Sequence, residues 1–524
     1  LKKKLKIHFM KYIKILSLTS LLIYTAGCTK LQEKLNGNVT YEDARKNADI
    51  AGLLKACYDS YRGPFQDQTG VFCLQDMSTD QCIGPTRGGD WDDNGVWRVL
   101  HTHKWDAENQ RIRDNFNNLA TIVFNCTNLL VFQPSDAVEA EALMLRAYAM
   151  FYMLDLYNQV PFRDPGENLL NPSRVLTGTE ALTQIIKDLD DAMPNLTDGP
   201  ANKANKWAAK ALLMKCYLNK GVYANRANPT FDAADMDKVI SLGSEIVASG
   251  KFSLDNVYWT AFSPQNTEVS KELIFTNKNT RDEAGNVRWA WHASTHYNQR
   301  PSGWNGFATL ADFYNSFDAA DQRRGDSARR ADGTAAGYVT DRTGLRVGLL
   351  RGQQYGEGGV VLKDRGGNNL IFTDNISSIV TGQVETPGIR VVKYIPDMLD
   401  DYSDDRGSAD NDYVLLRYTD VLLMWAEAKF RRGDAPTALT TINNIRAKRG
   451  AAPLGAVTED VILAERGREL YWESWRRNDM IRFKKFLGSF GPTKPDTDDA
   501  KYLLYPIPSN ALAVNPNLVQ NPGY

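Results

Sequence analysis

The sequence predicts a mostly α-helical protein in which helical hairpins stack into a scaffold and one loop-rich lobe carries short strands. Three observations predict it. Apolar residues recur at helical spacing through most of residues 41–255, and each run stops near Gly or Pro. Between 256 and 412 the character turns to Gly, Asn, Asp, Thr and aromatic residues with only short strand-like runs. Helical spacing returns over 413–524, so the two helical parts flank the lobe within a single unit over 41–524 rather than separable domains.

The chain opens on a lysine-rich stretch (Lys2, Lys3, Lys4, Lys6, Lys11, Lys14) that leads into a short apolar run from Ile15 to Ile23. A charged segment before a short apolar one reads as a secretory signal over residues 1–27. The run is too short to span a bilayer, which takes about 20 residues. Thr25-Ala26-Gly27-Cys28 resembles the box at which bacterial lipoproteins are cut and diacylated on cysteine, although Thr25 departs from the usual Leu. Two acyl chains suffice for stable anchoring. The expectation is a lipid on Cys28, a polar tether over 28–40 and a body held at a membrane. Met10 begins a more typical signal than Leu1, and either start leaves Cys28 in place.

Losing residues 1–27 removes six lysines and no acid, which takes the formal charge from −1 to −7. A mildly acidic body argues against nucleic acid, which is met by basic patches. Five cysteines then remain (Cys57, Cys73, Cys82, Cys126, Cys216) and no CxxC occurs. An odd number cannot all pair; Cys73 and Cys82 could bridge, but buried free thiols suit a core of this size.

The helices come in order. Residues 139–157 form an aromatic-rich buried helix ended by an Asn158-Gln159-Val160-Pro161 turn. An amphipathic partner over 179–193 is next, then a pair over 207–218 and 236–247. A similar pair, 421–430 and 438–446, is joined at Gly433-Asp434. Small alanines where helices approach, aromatics between them and Gly at the turn resemble tetratricopeptide hairpins, without the full consensus. Such scaffolds bind on extended surfaces. In the lobe, strands are expected at Val360–Leu362, Leu370–Phe372 and Arg390–Tyr394.

Three ordered blocks then carry a family resemblance. Arg417-Tyr-Thr-Asp-Val-Leu-Leu-Met-Trp-Ala-Glu427 runs on to Ile442-Asn-Asn-Ile-Arg-Ala-Lys-Arg449. Glu465-Arg-Gly-Arg-Glu-Leu-Tyr-Trp-Glu-Ser-Trp-Arg-Arg-Asn-Asp-Met-Ile-Arg482 is the second block. Tyr505-Pro-Ile-Pro-Ser509 and Gln520-Asn-Pro-Gly-Tyr524 close the chain. Together they resemble the SusD/RagB family, as do Leu145–Tyr148, Gln159–Phe162 and Gly303-Trp-Asn-Gly306. The resemblance implies a surface nutrient-binding lipoprotein of the outer membrane that hands its ligand to a SusC-like TonB-dependent transporter, without an enzymatic step or cofactor. By family habit the ligand is an oligosaccharide, with peptide as the alternative.

Two segments are candidates for the ligand site. Arg87-Gly-Gly-Asp-Trp-Asp-Asp-Asn-Gly-Val-Trp97 sets Trp91 and Trp97 beside Asp90, Asp92, Asn94 and Arg87 in a Gly-rich loop. Sugar rings stack apolar faces on aromatics, and their hydroxyls bond to carboxylates, amides and guanidinium groups. The second segment holds Trp289, Trp291 and His292, then Tyr297, Asn298 and Arg300. On a strand, Trp289 and Trp291 would point to one side as a stacking platform. For each Trp the competing reading is a packed core residue, and Trp304 and Asn305 are expected to be scaffold.

Other chemistry has less support. Asp90, Asp92, Asn94 and Gly95 match half of an EF-hand pattern, but position 12 is His101 instead of the bidentate Glu, so calcium is not expected. His101-Thr-His103, read as strand, lacks a third ligand. Glu465, Glu469 and Glu473 lie four apart as on one helix face, with Arg468, Arg476 and Arg482 interleaved. A surface glycosidase would need two carboxyls flanking the scissile bond, but arginine neighbours keep carboxylates ionised, the reverse of what a general acid requires. This array reads as an ion-paired structural element. A purely structural adaptor is the other rival. No GxGxxG, GxSxG, Walker A or HExxH occurs.

Overall fold

The computed structural model describes residues 45–280, 287, 289–325, 344–376, 385–397 and 409–524. The signal segment, Met10, Cys28 and the tether to residue 40 lie outside the described residues.

Six of the longer helices begin where a short polar side chain takes up free N–H groups. The first, α1 (Ile50–Asp59), is capped by Asp49, which accepts from Gly52. Helix α2 (Gln110–Val131) is capped by Asn109 and turns into α3 (Asp136–Tyr157). Next come α4 (Gly178–Ala192), α5 (Lys206–Ala224) capped by Asn205, and α6 (Ala233–Ala248) capped by Asp232. Beyond the lobe stand α7 (Tyr418–Arg431), α8 (Ala435–Lys448) capped by Asp434, α9 (Glu459–Leu470) capped by Thr458, and α10 (Arg476–Arg482).

Consecutive helices pack from α2 on α3 through to α5 on α6, and α6 then packs on α7 and α7 on α8. The lobe therefore leaves the stack after α6 and returns at α7 without breaking it. Its neck is an antiparallel ladder of Leu273–Asn277 on Tyr413–Arg417. Inside it, Gly348–Leu350 pairs with Arg390–Val392 and Gly352–Gln353 with Ile371–Phe372. The expected strand at Val360–Leu362 is instead exposed chain with an isolated Tyr355 to Val361 bridge. Residues 49–524 form one compact unit.

Helix α3 is the centre of the core: every residue from Ala142 to Tyr157 is buried. A helix apolar on all sides has to be covered on all sides, and the C-terminus supplies part of the cover. Tyr505 donates its N–H to Leu156 O and its hydroxyl to Leu74 O, while Asn521 Nδ2 donates to Tyr157 O at 3.0 Å. The closing block of the sequence is thus stitched to the end of α3. Asn158, left-handed at φ 61°, stops the helix. Instead of the simple turn expected there, the chain enters a strand, Gln159–Phe162, paired with Arg174–Thr177.

The carboxylates of the second family block depart from a single helix face. Helix α9 ends at Leu470, Trp472 and Ser474 take left-handed backbone, and Glu473 lies in that break before α10. All three carboxylates are buried in ion pairs. Arg323 reaches Glu465 at 2.7 Å and Glu469 at 3.0 Å, Arg449 reaches Glu469 at 2.8 Å, and Arg417 spans Glu469, Glu473 and Glu272. Alongside lie Glu427 with Arg482 and Asp420 with Lys215 and Arg466. Burial alone would raise these acids, but the cations outweigh it: Arg323 and Arg468 hold Glu465 at about 2, Arg482 and Arg431 hold Glu427 at about 2, and Lys215 and Arg466 hold Asp420 at about 2.

Each folded value lies below the unfolded one, so each group contributes stability that is complete above pH about 4.5 and lost as pH falls toward 2. Each is worth on the order of 3 kcal/mol by this linkage. Thermal denaturation followed by circular dichroism from pH 5 to pH 2 is expected to show a steep fall in Tm across that window. A flat profile would remove the network from the stability account.

The five cysteines in the described residues are buried free thiols. Cys73 and Cys82 do not bridge.

Candidate ligand-binding site

Backbone geometry shapes the first loop. Arg87 and Asp90 exchange backbone hydrogen bonds across a tight reversal through Gly88 and Gly89, and Trp91, Asp93 and Asn94 then all take positive φ. Left-handed backbone is uncommon outside Gly, Asn and Asp, and at Trp91 it turns the indole onto Gly306. A Cβ there would collide with Cε2 of Trp91, so only Gly lets the ring lie against this backbone. The Trp91 Nε1–H donates to Trp304 O at 2.9 Å, and its ring packs on Phe307 and Trp97 at centroid distances of 4.6 and 5.7 Å.

The second segment meets the first here. The Tyr297 hydroxyl donates to Asp90 Oδ2 at 2.7 Å across 207 residues of sequence. Trp304, half-buried, stacks on His292 at 5.4 Å and 26°. Arg365 Cζ stands 4.1 Å over the Tyr297 ring, and its guanidinium pairs with Glu385, which also takes His296 Nε2 at 2.9 Å. The exposed Asn298 donates from Nδ2 to Lys363 O.

The result is a half-open surface of Trp91, Trp304 and Tyr297 edged by Asp90, Asn298 and Arg365. Burial and the neighbouring Asp90 push the Tyr297 hydroxyl up to about 12, so it remains a donor at neutral pH. Burial lowers His296 and keeps it neutral. Although burial opposes it, Glu385 is held below the usual carboxylate range by the backbone N–H and guanidinium of Arg365 and by His296. Aromatic faces beside fixed donors and acceptors can stack and orient a polyhydroxylated ring.

Several expected contacts fall elsewhere. Trp289 and Trp291 are not on a strand: residues 289–292 form one helical turn, with Trp289 at 1% exposure against Phe72 and Trp472 and Trp291 at 5%. They are core. Trp97, 2% exposed, braces Trp91 from beneath and donates to Asp93 Oδ2 at 2.6 Å. Arg87 is buried too, donating to Gly306 O and Pro387 O, and burial pushes it down to about 9; it supports the backbone under the surface.

His292 is buried with its ring on Trp304, Asp92 pairs with Arg98, and the exposed Arg300 faces Glu357 at 3.9 Å. Asn94 lines a depression of about 280 Å³ whose walls include neither Trp91 nor Tyr297. Conversely, Trp304 belongs to the surface and not only to the scaffold. Arg365, Lys363 and Glu385 carried no sequence signal beyond their place in the lobe.

Asp90 and Asp92 are engaged with Tyr297 and Arg98, and His101 is buried against Cys82 O and Thr493 Oγ1. Residues 98–101 are helical and His103 has positive φ, so the strand reading of the histidine pair fails. Among the described residues no group of three His, Cys, Asp or Glu side chains is placed to hold a metal.

Gly306→Ala puts a methyl group into the Trp91 ring. It is expected to displace the indole, cost about 1–3 kcal/mol of stability and weaken ligand binding, measured by thermal melting and titration calorimetry. Unchanged tryptophan fluorescence and affinity would contradict the placement of Trp91.

Two family models match segments that together span well over half of the chain. One, described as SusD family, takes residues 271–524; the other, described as starch-binding and associating with the outer membrane, takes residues 87–218. The chain belongs to the SusD/RagB family. Among relatives of this SusD-type chain, the starch-binding protein SusD of Bacteroides thetaiotaomicron is 26% identical over 503 residues, covering 87% of this chain and 85% of that protein. A SusD superfamily protein of Parabacteroides distasonis superposes with a TM-score of 0.69 at 18% identity, covering 93% of this chain and all of that one. Surface glycan-binding protein A of Bacteroides thetaiotaomicron, solved with laminarihexaose, gives 0.64 at 17%, with coverage of 90% and 98%. At these identities the structures fix the SusD fold. The candidate surface draws on both matched segments.

Proposed function

We propose that this chain is a glycan-binding lipoprotein of the outer-membrane surface, anchored through Cys28, which captures an oligosaccharide on the Trp91–Trp304–Tyr297 surface and passes it to a SusC-like TonB-dependent transporter. The observation that carries the reading is the meeting of two distant loops, joined by Tyr297 on Asp90 and Trp91 on Trp304 O, around half-open aromatic faces. The names of the relatives support it, since one is called starch-binding and one was solved with a glucan hexaose. Capture and release need only differential binding between two states, with no bond broken. The carboxylate array offers no acid to a glycosidase, because Glu465 and Glu469 are buried and held ionised by arginines.

The test is a glycan and peptide array probed with the chain starting at Thr29. Retention of glycans supports the reading, and retention of peptides alone replaces it with a peptide-binding role. For the anchor, palmitate labelling in cells is expected to be lost in Cys28→Ala; labelling that survives would contradict it.

A further inference from the structure

A groove of about 900 Å³ lies between the end of α6, the α7–α8 hairpin and the loop at 252–256. Its position in the helical stack shares no residue with the Trp91–Trp304–Tyr297 surface. Trp425 of α7, half-buried, is fixed there by α6. Its Nε1–H donates to Ser244 Oγ at 3.2 Å, and a Cβ on Gly243 would stand 2.6 Å from its Cδ1, so Gly243 gives the indole room to lie on α6. Phe252 and Tyr418 stack at 6.0 Å and 24° and line the same groove.

The opposite edge is polar. Thr437, Thr440, Asn444 and Lys448 run along α8 at spacings of three, four and four, which places them on one helix face. Thr440 Oγ1 donates to Pro436 O, leaving its lone pairs to the groove, and Asn444 is exposed. Charge is nearly absent from the lining. Lys448 is its single charged residue and donates across one end to Asn256 Oδ1 at 2.7 Å.

Small-molecule sites are pockets of roughly 300–1,000 Å³, mostly apolar with a few convergent polar groups, and the groove falls within that range. Aromatic rings opposite a rail of hydroxyl and amide groups, with no carboxylate and no uncommitted cation in the lining, fit an uncharged, polyhydroxylated ligand. We propose that this groove is a second oligosaccharide site, with Trp425 as its stacking face and the Thr440–Asn444 edge of α8 as its hydrogen-bonding rail. The ligand class rests on the glycan reading above. Two sites on one chain would hold a long glycan by two points, and the second contact gains from the effective concentration set by the first.

The experiment is titration calorimetry of the chain from Thr29 with maltohexaose, laminarihexaose, cellohexaose and xylohexaose, on wild type, Trp304→Ala, Trp425→Ala and Thr440→Ala/Asn444→Ala. The last pair is exposed, so its fold is safe if the Trp425 variant melts early. At least one hexaose is expected to bind twice per chain. Trp304→Ala should remove one event, and either groove variant should weaken the other tenfold or more. A single event, lost in Trp304→Ala and indifferent to both groove variants, overturns the second site while the function stands. A single event lost only in the groove variants supports the groove and overturns the lobe surface as the glycan site. Binding of no hexaose overturns both.

Discussion

Arg417→Ala is expected to leave little or no folded protein. Its guanidinium donates to Glu473 through Nε at 2.7 Å, to Glu469 and Glu272 through Nη1 at 2.8 and 3.1 Å, and to the Glu469 carbonyl at 2.6 Å. It is 1% exposed, and so are its carboxylate partners or nearly so. Removing one member of a buried ionic cluster leaves the others charged in a medium that cannot solvate them, a cost of about 3–5 kcal/mol. Arg417 also ends the ladder at the neck of the lobe and sits at the N-cap of α7, so the loss strikes where lobe and scaffold join. Urea denaturation should show either no cooperative transition or a midpoint far below wild type. Lys187→Ala, which breaks the exposed pair with Asp191, is the control and is expected to shift stability by under about 0.5 kcal/mol. Equal effects from both would contradict the ionic core described above.

Removing the open aromatics is expected to have the largest effect on binding. Trp304→Ala deletes a stacking face, and Tyr297→Ala deletes both a ring and the hydroxyl that ties the second loop to Asp90. Partly desolvated aromatic anchors are worth about 2 kcal/mol or more on truncation, roughly a thirtyfold loss of affinity. Tyr297→Phe separates the two roles: it keeps the ring and loses the tie to Asp90. It should bind between wild type and Tyr297→Ala. Trp291→Ala, in contrast, should melt early because the ring is core. If Trp291→Ala were fully stable and lost binding while Trp304→Ala bound normally, the surface would be misassigned.

Much of the scaffold was legible because long helices repeat one signal many times. The predicted 139–157, 207–218 and 438–446 lie within observed helices at Asp136–Tyr157, Lys206–Ala224 and Ala435–Lys448. The sequence windows are shorter because capped ends carry polar residues. Short segments offered no such redundancy. Two tryptophans two apart fit a strand, yet one helical turn places both in a core whose other walls, Phe72 and Trp472, come from far along the chain. Glu465, Glu469 and Glu473 at a spacing of four suggested one continuous helix, but left-handed Trp472 and Ser474 break it.

The site was half legible for the same reason. Gly-rich Trp91 and the Tyr297 segment stood out by composition, while the pairing of Arg365 with Glu385 over Tyr297 depends on how the lobe folds back on itself. Trp304 looked like scaffold because its sequence block resembled a family motif. Its backbone does serve that role, accepting from Trp91, and its ring is still half-open.

If the half-open surface of the lobe holds a glycan and leaves it intact, one measurement shows both. It is the affinity of the chain from Thr29 for an oligosaccharide retained on the array, in wild type and Trp304→Ala, with chromatography of the sugar after prolonged incubation. The expected result is saturable binding by wild type, roughly a thirtyfold loss or more at the lobe surface in Trp304→Ala, and recovery of the sugar at its original length. Equal affinity in the two proteins, or shortened products from wild type, would contradict it.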